Sequence, residues 1–152
     1  MRAWRISRER FADTAFSGFG AREYGGRWNS PGRGVVYLSG TIALAALEML
    51  VHAGDRAELL QDFVFIEVEF DEGLVQVLDQ EALPEDWSAY PEPEATKRLG
   101  DRWFDDQASL LLAVPSAVIP QEMNLLLNPL HPDFGKVKRG APQSFHFDTR
   151  LR

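Results

Sequence analysis

Between Ile42 and Val51 the chain carries a single residue that is not apolar, Glu48. The run is built from strong helix formers, Ser39 or Thr41 is available as a cap, and Gly54 supplies a stop. A helix over residues 41–53 is therefore predicted. A helix that is apolar on every face is ordinarily buried. Glu48 is then a carboxylate in a low-dielectric site. It needs a cationic partner, a hydrogen-bond network or a proton, unless it reaches water at the helix rim. Carboxylates in such settings gather at functional sites, which makes Glu48 a candidate for chemistry.

The rest of the pattern is richer in strands than in helices. Residues 2–6, 35–39, 63–70, 74–78, 109–114, 118–119, 124–127 and 143–148 read as strands, with 74–78 expected to pair with 63–70. Residues 16–29 are rich in glycine and aromatics and read as loop with strand fragments, followed by a turn at 31–34. Residues 84–93 form a polar, proline-containing loop, and a second helix is expected over 94–106. Strands and helices do not alternate strictly, so the fold class expected is α+β, one mixed domain over 1–152.

Composition narrows the function classes. With 152 residues and 45% hydrophobic content, one compact core needs no staples. The absence of cysteine excludes disulfides and thiolate metal sites. The net charge of −7 is uneven: residues 1–56 carry +3, 57–112 carry −12 and 113–152 carry +2. An acidic chain is a poor binder of nucleic-acid backbones, whereas its mildly basic outer thirds leave room for a small anionic ligand. The acidic middle reads as a solvated face. No apolar run is long enough to span a membrane and the first residues do not resemble a secretory leader, so a cytoplasmic protein is expected.

Several motifs fail on inspection. Gly18-Phe-Gly20 opens like a dinucleotide loop but lacks the third glycine and the helix that should follow. His52, His131 and His146 have no metal-ligand spacing, and each reads as structural or solvent-facing. No Gly-x-Ser-x-Gly elbow occurs. Two segments survive beside Glu48. In Gly25-Gly26-Arg27-Trp28-Asn29 the glycines permit close backbone approach, and an arginine fork can clamp a pyrophosphate. Trp28 there either stacks on a base or fills core. In Val114-Pro115-Ser116 the hydroxyl lies at a strand break, where it can cap a turn or face a ligand.

In order and spacing, Gly25–Asn29, Val36-Tyr37-Leu38-Ser39, Ala46-Leu47-Glu48, Val114–Pro120, Asn124–Asp133 and Phe145–Leu151 together resemble the RES family, named for an Arg, a Glu and a Ser. The resemblance runs from Trp4 to Leu151. It implies a split β-sheet core like that of the ADP-ribosyltransferases and an active site that uses NAD as substrate, without a metal. The family's arginine, tyrosine, glutamate and serine carry over to Arg27, Tyr37, Glu48 and Ser116. Trp28 and Asn29 stand beside them as NAD-binding residues, and Asn124 and Asn128 lie in matching segments.

The function so implied is that of a growth-arresting toxin of a type II toxin–antitoxin system that cleaves the nicotinamide–ribose bond by hydrolysis or phosphorolysis. The alternatives are ADP-ribosylation of a protein of nucleotide metabolism and a catalytically silent binding module. The resemblance also implies a helix-turn-helix (Xre-type) antitoxin that covers the active site and makes any DNA contact. Homo-oligomerisation is compatible with it.

Overall fold

The computed structural model describes residues 1–151, and for Ala57 and Leu59 the backbone alone; Arg152, the last residue of the expected domain, lies outside the described residues. The strands are β1 (Arg2–Arg8), β2 (Val36–Ser39), β3 (Phe63–Glu69), β4 (Val75–Val77), β5 (Leu111–Pro115), β6 (Met123–Leu127), β7 (Lys138–Arg139) and β8 (Gln143–Phe145). The helices are α1 (Phe19–Tyr24), α2 (Ile42–Ala53) and α3 (Glu94–Asp106). The strands join in one mixed sheet in the order β4-β5-β6-β2-β1-β3-β7, with β8 sharing the outer edge of β3. The α+β class expected from the pattern is the class observed.

Apolar residues on neighbouring positions of β2, β5 and β6 are divided between the two faces. Val36, Leu38, Leu111, Leu125 and Leu127 join a core with Ile66, Val68 and Phe16. Leu112, Val114 and Leu126 instead join a core with Trp28, Trp103 and Phe104. Because successive strand residues point to opposite faces, a strand covered on both sides must be largely apolar, as these are apart from Tyr37, Ser39 and Asn124. β2, the fourth of the seven strands on the path, thus delivers Tyr37 and Leu38 to opposite sides of the sheet.

α2 begins where Thr41 Oγ1 accepts the Leu44 amide at 3.1 Å and ends at Gly54, whose φ is 58°. Of its residues, Leu44, Ala45 and Ala53 are buried, while Leu47 and Val51 are 36% and 60% exposed. The expectation that the helix is buried on every face is corrected: one face packs on β1 and β2 and the other meets solvent. α3 is amphipathic and buries Thr96, Gly100, Trp103 and Phe104, at the spacing of one helical face. A Cβ on Gly100 would collide with the carbonyl of Trp28, so only glycine lets α3 approach the 25–33 loop this closely.

Four further expectations are revised. Residues 19–24 form a short helix rather than loop, although the third glycine of a dinucleotide motif is still missing. β4 pairs in parallel with β5, not with β3, whose edges are taken by β1 on one side and by β7 and β8 on the other. Residues 118–119 make a turn, because their amides go to the Ser116 hydroxyl instead of a ladder. The last strand stops at Phe145, and β7 precedes it.

Candidate active site

The half-buried Glu48 carboxylate has two hydrogen-bond donors and, among the described residues, no cationic partner within ion-pair distance. Ser116 Oγ donates to its Oε1 at 2.8 Å, and Asn124 Nδ2 donates to the same oxygen at 2.7 Å. Each donor is positioned in turn. The Ser116 hydroxyl accepts the amides of Val118 and Ile119 at 3.0 and 3.1 Å, so the capped turn points its proton at the carboxylate. Asn124 Oδ1 accepts from Ser39 Oγ at 2.9 Å, where β2 pairs with β6. The carboxylate is therefore held by neutral groups that satisfy its charge without cancelling it.

Glu48 lines a cavity of about 140 Å³ together with Arg5, Tyr37, Ser39, His52 and Asn124. Arg5 was not singled out in the sequence. Its Nη1 donates to the Tyr37 carbonyl at 2.9 Å, while its Nε is buried with no partner. Burial pushes this guanidinium down to about 10, which leaves it cationic at neutral pH and under-compensated. An orphaned buried donor is uncommon.

Tyr37 connects this cavity to the 25–33 loop. Its hydroxyl donates to Asn29 Oδ1 at 2.6 Å and accepts the Trp28 amide at 3.2 Å. Desolvation is the main cause that lifts its phenol well above the ordinary value of 10. Asn29 is fully buried, and its Nδ2 is spent on the carbonyls of Ala21, Ser30 and Arg33. Asn29 thus holds Tyr37 and shapes the loop rather than presenting polar atoms to a ligand. Trp28 is 3% exposed and packs against Trp87, so of the two roles open to it the structure shows core filling.

Arg27 does not line the cavity. Its Nη1 donates to the carbonyls of Trp87 and Ala89 at 2.9 and 2.7 Å, tying down the 84–93 loop and leaving Nε and Nη2 without a protein partner among the described residues. Its own carbonyl accepts from Thr96 in α3. Part of the acidic middle of the chain acts on the 25–33 loop: Asp101 Oδ1 accepts the Ser30 amide, and Arg33 pairs with Asp101 and Asp105. Asn128 is buried and satisfied by backbone, away from Glu48.

The structure therefore brings Tyr37, Glu48, Ser116 and Asn124 together, adds Arg5 and His52, and sets Arg27 on the far side of Tyr37. His52 was visible in principle, four residues after Glu48 and so on the same helical face. A larger open groove of about 470 Å³ runs past Arg2, Glu69, Asp71, Lys136 and Lys138. It shares no residue with this site, and its Arg2 is paired with Glu67 and Glu69. Among the described residues no cluster of His, Asp and Glu is suited to a metal, and no helix is long and apolar enough to cross a membrane.

The mixed α+β sheet that carries this site has a counterpart among solved structures. The fold is shared with the crystal structure of the M. tuberculosis MbcT–MbcA toxin–antitoxin complex, at a TM-score of 0.78 and 18% identity over 95% of this chain and 84% of that one. The RES domain model matches residues 2–148, and the chain belongs to the RES domain family. It is 42% identical to the protein named Toxin Res of Photorhabdus laumondii, over 97% of this chain and 95% of that protein. It is 37% identical to the Prs ADP-ribosylating toxin of a Sphingobium species, over 97% and 94%.

Proposed function

We propose that the chain is the toxin of a toxin–antitoxin pair and that it cleaves the bond between nicotinamide and ribose C1′ of NAD. The observation that carries this reading is the Glu48 carboxylate, held by Ser116 and Asn124 at the wall of a cavity whose opposing charge, Arg5, keeps a buried donor unpaired. The leaving nicotinamide is already cationic, so no general acid is required. The transition state is cationic at the ribose, like that of glycoside cleavage, and a fixed negative charge beside it lowers the barrier. Neutral donors to Glu48 leave that charge available.

A cavity of about 140 Å³ admits the reacting end of a dinucleotide and not the whole. In this reading the nicotinamide ribose enters beside Glu48, a phosphate oxygen meets the Arg5 guanidinium, and Tyr37 forms the wall. The adenosine half lies over the surface near the unused donors of Arg27. Ser116 acts through Glu48, and Asn29 through Tyr37. Water, inorganic phosphate or a protein side chain accepts the ribose. The name of the Sphingobium relative favours the second reading, transfer of ADP-ribose to a protein. The names of the relatives, and a structural neighbour that is itself a toxin–antitoxin complex, also support an antitoxin partner, and we assign it the helix-turn-helix type.

The test is product analysis after incubation with NAD labelled in the adenylate half, with and without phosphate and a cell extract. Free ADP-ribose or its phosphate supports cleavage, and label on a protein band supports transfer. Intact NAD in every arm overturns the reading.

A further inference from the structure

His52 lies one helical turn beyond Glu48, and both side chains line the same cavity. Residues four apart on a helix stand with Cβ atoms about 5–6 Å apart on the same face. The imidazole makes no hydrogen bond or ion pair among the described residues, and His52 is exposed, so its ring nitrogens are open to solvent. Nothing in the packing requires a histidine here: the buried residues of α2 are Leu44, Ala45 and Ala53. What the position offers is a proton acceptor between bulk water and the place where the carboxylate meets the ribose.

We propose that His52 is a catalytic residue that takes the proton of the acceptor hydroxyl, a step that rests on the NAD reading above. In that step the C1′–nitrogen bond breaks and its electron pair returns to the nicotinamide ring, which leaves neutral. An acceptor oxygen forms the new C1′–O bond, and its proton passes to the neutral imidazole and then to solvent. Glu48, on the same helix, holds the cationic ribose. The charged and titratable groups that line the cavity with His52 are Glu48, Arg5 from β1 and Tyr37 from β2, while β6 contributes the uncharged Asn124. Glu58, in the turn that follows α2, is not part of the cavity wall.

The test uses the full chain, NAD and phosphate-free buffer, with water as the acceptor, and compares wild type with His52→Gln between pH 5 and 8, where imidazole is the side chain that ordinarily titrates. The expected result is a drop in kcat of about 10²-fold at pH 7.5, the scale of general-base catalysis, with KM for NAD within about twofold. The acidic limb of the wild-type kcat profile should be absent from the variant. A His52→Gln protein with wild-type kcat and the same acidic limb overturns the assignment while leaving the NAD reading intact. A rise in KM with unchanged kcat also overturns it, because the residue then binds substrate. A wild-type protein that leaves NAD untouched here, and also when phosphate and a cell extract are added, overturns the NAD reading and the role of His52 together.

Discussion

Ser116 and Glu48 are 68 residues apart in sequence and 2.8 Å apart in space, the hydroxyl just beyond β5 donating to the carboxylate in the middle of α2. This contact fastens the helix that packs on β1 and β2 to the far half of the sheet. The carboxylate is therefore fixed from two strands it does not belong to, and its position does not depend on the α2 rotamer alone.

Glu48→Gln preserves an Oε1 that can accept from both Ser116 and Asn124, and removes only the charge. The melting temperature should stay close to wild type while NAD turnover falls by about 10²-fold or more, the range for losing a transition-state electrostatic contact. Initial-rate kinetics and a thermal melt on the same preparation check both halves. Unchanged turnover would remove Glu48 from the chemistry.

Ser116→Ala removes one donor to Glu48 and the cap of the 118–119 turn. Leaving those groups unsatisfied should cost about 1–3 kcal/mol in a urea titration. Turnover should fall less than in Glu48→Gln, because Asn124 still holds the carboxylate.

Arg5→Gln should lower stability little, since losing the bond to the Tyr37 carbonyl is offset by removing an under-compensated buried charge. Loss of a charge-assisted contact to phosphate is expected to raise KM for NAD about tenfold or more. Isothermal titration with NAD beside a denaturant melt separates the two effects. Unaltered affinity would show that Arg5 is not a substrate donor.

Gly100→Ala places a methyl group against the Trp28 carbonyl, where backbone cannot give way cheaply. Overpacking of this kind costs about 1–3 kcal/mol or more, and the loop bearing Arg27 should shift with it. Hydrogen exchange at residues 26–33 should quicken in the variant, and a lowered denaturation midpoint should accompany it.

The raised phenol of Tyr37 gives a pH signature. A group held neutral in the fold contributes stability that is fully present below its unfolded value, near 10, and is lost as pH rises above it. Denaturant titrations from pH 8 to 11 should show wild type losing stability above pH 10, at up to about 1.4 kcal/mol per pH unit. Tyr37→Phe should lack that component.

What the sequence made legible was local. The limits of α2, its Thr41 cap and its Gly54 stop all follow from contacts within four residues, and all are observed. A helix over 94–106 was expected as well and is observed as α3, whereas its two faces were not read. Pairings between distant segments did not announce themselves. β4 pairs with β5 across α3, and no turn chemistry near residue 75 distinguishes that from a hairpin with β3. Arg5 was missed because a single arginine in a strand looks like any edge cation until the sheet closes over its Nε. For Arg27 the sequence offered a free fork, whereas the fold spends one nitrogen of it on the 84–93 loop. Glu48 was read as a carboxylate in need of partners, but which partners it has depended on where β5 and β6 end.

Asn124 accepts from Ser39 on one side and donates to Glu48 on the other, so its amide has one workable orientation. Turned over, it would set oxygen against oxygen at the carboxylate. The row from Ser39 to Glu48 thus has a direction, written into the register of β2 on β6. A slip of that register by one residue would turn Asn124 to the opposite face and unplug the carboxylate without disturbing a single atom of α2.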